Sequence, residues 1–122
     1  MSVEIQLDLQ GTESFSQALS RLDSAMQVRV QEKLSEWAQT VETEAMRIVP
    51  IRTGYLRSTI FARFQQWQAE VGAEASYAAS VEFGTRNMQA QPFIQPALER
   101  HLPELEQYLS DALDSAGLEA GL

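Results

Sequence analysis

The sequence has no cysteine, one histidine and one lysine among its 122 residues, and these shortages remove several kinds of protein at once. Without thiols there is neither a disulfide framework nor a thiolate metal site. A serine nucleophile would need His101 as its base, and no Gly-x-Ser-x-Gly elbow accompanies it. Glu42 and Glu44 stand two apart, as do Glu99 and His101, so neither pair converges on one helix face. A Gly-rich phosphate loop is also missing. The expectation is therefore no catalytic residue, no cofactor and no metal. No apolar run approaches the roughly 18 residues of a membrane span. Glu4 and Asp8 interrupt the N-terminal "MSVEIQLDLQ", which argues against a secretory signal. A protein made in a reducing cytoplasm, without a membrane partner, is expected.

What charge there is has an uneven distribution. The net value is −8. Residues 1–46 hold eight acids against three bases, and residues 101–122 hold five acids and no Lys or Arg. The middle, 47–100, holds six bases, all Arg, against four acids. An acidic chain lacks the basic face that releases counterions from DNA phosphates. The simple reading is a pair of solvated acidic helices. A sharper one has the Arg-bearing middle of one subunit meeting the acidic ends of another, since guanidinium suits interface carboxylates.

The pattern predicts an α+β fold in a single domain: an N-terminal strand, a long amphipathic helix, a β-hairpin, a short helix, an extended arm and a C-terminal helix, packed on a small antiparallel sheet. Val3, Ile5, Leu7 and Leu9 alternate with polar residues, giving a strand that Gly11 ends. "SFSQ" (14–17) has capping-box form. From Phe15 through Leu19, Leu22, Met26, Val30, Leu34, Trp37, Val41 and Ala45 to Ile48, apolar residues recur at steps of three or four. This predicts a helix over 14–49. A domain this small cannot cover such a helix end to end, so part of it meets a partner or it breaks.

Pro50 stops the stripe, and Gly54 in "PIRTGYLRS" supplies a turn. Alternation in "STIFARF" and "QWQAEVG" predicts a hairpin over 58–72, turning at Gln65-Gln66. Tyr77 and Val81 mark a short helix closed by Gly84. Pro96 opens a last helix to about 115, which Pro103 should kink or split. Residues 116–122 have no periodicity and read as a tail.

The segment 84–96, "GTRNMQAQPFIQP", fits neither period, yet it carries Met88, Phe93 and Ile94 between prolines. Non-repetitive connections of this length tend to be binding segments. Pro92 and Pro96 restrict the backbone, so an arm would lose little entropy on docking. The expectation is a subunit interface built from Gly84, Thr85, Met88, Pro92, Phe93, Ile94 and Pro96. On this expectation Phe93→Asp leaves the monomer folded, unless the arm packs on its own core.

"PIRTGYLRSTI" (50–60) followed by "YAASVEFGTRNMQAQPFIQPALE" (77–99) resembles the neck or tail-completion family of long-tailed phages and prophages, the head–tail joining proteins of lambdoid type. Three motifs are met in the family's order: Pro-x-x-Thr-Gly-x-Leu-x-x-Ser, with Thr59 in the place of its last Ser, Tyr-Ala-x-x-Val-Glu-Phe-Gly-Thr and Met-x-Ala-Gln-Pro-Phe-x-x-Pro-Ala. Ser80 and Pro103 depart from the pattern. The resemblance implies a structural virion protein, made in the host cytoplasm and assembled as a ring, with six copies the expectation. Its partners would be copies of itself, the connector and portal side, and the tail terminator or tail tube. Double-stranded DNA would pass through without specific binding. Pro50, Thr53, Gly54 and Leu56 would form the turn into the hairpin. Gly84-Thr85 would be a hinge, and Met88 to Pro96 the assembly arm. Charge alone pairs Glu82 with Arg52 or Arg57, within or between subunits. Two alternatives stand beside this: an assembly module left out of the particle, and a nucleic-acid binder using Arg47, Arg52, Arg57, Arg63 and Arg86.

Overall fold

The computed structural model describes residues 2–8, 13–65 and 67–115. The roles expected for Leu9, Gly11, Gln66, the Phe15 side chain and residues 116–122 lie outside the described residues. The described elements are β1 (Val3–Asp8), α1 (Glu13–Ser20), α2 (Ser24–Ile48), α3 (Tyr55–Ser58), β2 (Ile60–Gln65), β3 (Gln68–Ala73), α4 (Ala78–Phe83) and α5 (Ile94–Ser115).

The sheet is antiparallel with the order β1-β3-β2. Its register aligns Val3, Ala73 and Ile60, then Ile5, Val71 and Ala62, on one face. That face packs on α2, and α5 packs on α2 as well. The fold is α+β, with α2 in contact with both the sheet and α5. Val30, Leu34, Trp37, Ala38, Val41 and Ala45 are the buried stripe of α2.

The stripe expected as a helix over 14–49, to be covered by a partner or to break, is broken into two helices. The chain turns at Arg21–Asp23, and the Asp23 carboxylate accepts the Met26 N–H at 2.8 Å, capping α2. Gln27 reaches back to donate to the Leu22 carbonyl at 2.9 Å. Leu19 and Leu22 remain buried through the break, so the apolar rhythm continues although the backbone does not.

α5 also departs from expectation. It starts at Ile94, placing Pro96 third, where a missing N–H leaves no helical bond unmade. It is not split at Pro103 but runs on to Ser115. The Trp37 indole N–H donates to the His101 carbonyl at 2.8 Å, tying α5 to α2 close to that proline.

Candidate self-assembly surface

The expected arm is not a free strap. Gly84, at φ 78°, turns the chain out of α4, a conformation that favours glycine. A Cβ there would also lie 2.8 Å from the Ala90 nitrogen and 3.0 Å from the Met88 oxygen. Thr85 and Met88 exchange backbone hydrogen bonds at 2.8 and 3.3 Å, closing a tight turn with Arg86 and Asn87 at its tip. The Gln91 N–H then donates to the Val81 carbonyl at 2.8 Å, clipping the returning chain to α4.

The root of the segment is held more firmly. Phe93 and Ile94 are both 0% exposed and belong to the chain's own core. This corrects the expectation that they project to a neighbour: sequence separates them from the core by only a loop, and that loop folds back. Pro92 is exposed and Pro96 is half-buried.

Glu82 makes this anchoring possible. Its side chain is buried, and its Oε1 accepts the N–H groups of Phe93 at 3.0 Å and Ile94 at 2.9 Å. Oε2 accepts the Gln95 N–H at 3.0 Å. A carboxylate at a helix N-terminus satisfies orphan donors and meets the positive end of the macrodipole. The expected pairing of Glu82 with Arg52 or Arg57 is therefore corrected: backbone N–H groups take both oxygens.

What remains outside includes several large apolar side chains. Ile51 is 62% exposed, Tyr55 57%, Tyr77 43%, Phe83 71% and Met88 39%. The Tyr55 and Tyr77 rings meet at 6.4 Å between centroids, tilted by 41°. Beside them a groove of about 240 Å³ is lined by Pro50, Arg52, Tyr77, Ser80, Val81, Met88 and Gln91. Helical spacing sets Phe83 one turn beyond Ser80. Gly54, at φ 83°, gives the sharp turn that brings Tyr55 here. Of the expected interface residues, Met88 lines the groove, and Gly84 and Thr85 shape the turn that presents it. Sequence reasoning missed Ile51, Tyr55, Tyr77 and Phe83, whose signal was their place in turns and at helix ends rather than on a stripe.

The arginines do not form one basic face. Arg47 and Arg100 both bind Glu44, at 2.7 and 2.8 Å. The Arg47 hydrogen bonds, aided by the Arg100 charge and opposed by desolvation, hold the Glu44 carboxyl down to about 2. Arg63 binds Glu74 at 2.7 Å and lies over the Phe61 ring at 4.2 Å. Of the expected nucleic-acid set, Arg52, Arg57 and Arg86 make no ion pair among the described residues. The His101 side chain is 20% exposed, and its Nε2 is buried without a partner. No three His, Asp or Glu side chains group as a metal site among the described residues. No helix among them is long and apolar enough to cross a membrane.

Residues 13–84, from α1 to the end of α4, match the HK97-gp10-like family model, described as "Bacteriophage HK97-gp10, putative tail-component". The chain belongs to this family. It is a phage tail-related structural component. No curated protein and no solved structure matches the chain. The family match takes in Tyr55, Tyr77, Glu82 and Phe83 and ends at Gly84.

Proposed function

We propose that this tail component is a ring subunit at the head–tail junction of a long-tailed phage, joining the connector to the tail tube around the DNA channel. The observation that carries this is the rigid apolar surface at Tyr55, Tyr77, Phe83 and Met88, on a family member whose relatives are tail components. Full burial of such side chains is worth up to roughly 1.5–3 kcal/mol each, and large contiguous apolar patches on single-domain proteins mark contact sites. The surface is presented by two glycine turns and the Glu82 clamp, so little order has to be gained on docking.

The interface on this reading comprises Gly84, Thr85, Met88 and Pro92 at its edge, with Phe93, Ile94 and Pro96 acting beneath it as the anchor. Six copies around the channel, with connector proteins on one side and the terminator or tube on the other, remain the expected arrangement. The net charge of −8 suits a passage in which DNA slides rather than sticks.

The test is removal of the gene from the phage that carries it. A junction protein leaves filled heads and finished tails unjoined, and supply from a plasmid joins them. Normal, infectious particles lacking the protein would sink the proposal, and presence in lysate but never in particles would favour an assembly module instead.

A further inference from the structure

Arg52, Arg57 and Arg86 stand apart from the other arginines of residues 47–100, which are bound to Glu44, Glu70 and Glu74. All three lie in the segment that carries the apolar surface. Arg52 lines the groove, Arg57 follows Tyr55 by two residues in α3, and Arg86 tips the turn closed by Met88. All three are exposed. The groove is thus largely apolar with the unpaired Arg52 in its lining, and two further unpaired arginines stand on α3 and on the turn beside Met88.

The opposite sign gathers on the outer side of α5. From Pro103 to Ser115 it exposes Glu104, Glu106, Asp111 and Asp114, with no Lys or Arg in that stretch. Leu105, Leu109, Ala112 and Leu113 face the core from the same turns. Carboxylates near a helix C-terminus add to the negative end of the macrodipole rather than relieve it. The last turn has no basic residue to offset them, so cations from outside would be favoured there.

We infer that the Arg52-lined groove of one copy, with the unpaired Arg57 and Arg86 on the neighbouring elements, docks on the acidic outer face of α5 of the next copy. Two copies meeting through the same groove would set arginine against arginine, which disfavours a twofold pair. A head-to-tail contact sets unlike charges together, and repetition by rotation closes a ring. Guanidinium groups and surface carboxylates also suit each other in hydrogen-bond geometry. This inference rests on the ring proposal and names the surface that each subunit offers its neighbour.

The experiment exchanges the charges. Arg52→Glu with Arg57→Glu reverses two of the three unpaired arginines, and Glu106→Arg with Asp114→Arg reverses the helix face. Each is supplied from a plasmid to the gene-deleted phage, and the copies of the chain per purified particle are measured. Either reversal alone should lower incorporation by about tenfold or more, and the chain carrying all four changes should recover most of it. Should a reversed chain fail to fold, Arg52→Gln and Glu106→Gln take its place. Their combined effect on incorporation should then be smaller than the product of the two single effects.

Full incorporation of either reversed chain, no recovery in the fourfold variant, or independent effects of the two neutral variants overturns the contact and leaves the ring standing. Absence of the wild-type chain from particles overturns both. Lost binding of duplex DNA by the Arg52→Glu, Arg57→Glu chain, with incorporation unchanged, overturns the contact in favour of a nucleic-acid surface.

Discussion

The Glu82 carboxylate accepts the Ile94 N–H at 2.9 Å, across twelve residues of chain, and with it the first turn of α5. Glu82→Ala leaves three donors without their acceptor beside a buried core. It should cost about 2–4 kcal/mol in chemical denaturation. Glu82→Gln keeps one acceptor oxygen and should cost less. Equal stability of all three chains would mean that the clamp holds nothing.

Phe93 is wholly inside its own subunit, so its substitution is a test of folding. Phe93→Ala should lose about 3–5 kcal/mol. Phe93→Asp should fail to give a cooperative unfolding transition, because an unpaired charge would be buried. A well-folded Phe93→Asp monomer that fails only in assembly would restore the projecting arm.

Surface residues should behave in the opposite way. Tyr77→Ser combined with Phe83→Ser should change stability by no more than about 1 kcal/mol. The same chain should be missing from purified particles, as quantified by mass spectrometry. Normal incorporation would remove the apolar surface from the account.

Acid should unfasten the link between α2 and α5 at Glu44. Its carboxyl is lowered from the ordinary 4.5 to about 2 by Arg47 and Arg100. A lowered folded-state value means that the stabilisation is present in full above pH 4.5 and is lost as pH falls towards 2. The difference in denaturation midpoint between wild type and Glu44→Gln should be flat above that window and shrink within it. A difference that does not change with pH would contradict the pairing.

Much of the architecture was legible because it follows from period. The alternation at Val3, Ile5 and Leu7 gave β1, the two strands of the hairpin were set by Ile60 to Ala73, and Gly54 and Gly84 marked the two left-handed turns. The break at Arg21–Asp23 was hidden because Leu19 and Leu22 keep the helical rhythm across it, while the Asp23 cap needs only one hydrogen bond. The hairpin turn is occupied in part by Trp67, a buried aromatic that carries no turn signal.

The site was less legible for a different reason. Met88, Phe93 and Ile94 are equally apolar, and only a long-range bond decides which of them is anchor and which is surface. Glu82 reaches the α5 N-terminus from another helix, with no local motif to announce it. Its charge suggested an arginine, but the helix end supplies three donors already in place.

The most direct test is cryo-electron microscopy of the intact particle at the head–tail junction. The account predicts copies of this chain in a closed ring, with Tyr77, Phe83 and Met88 covered by the adjacent copy and Phe93 still inside its own subunit. A junction built without this chain, or a ring in which those three side chains face solvent, would contradict it.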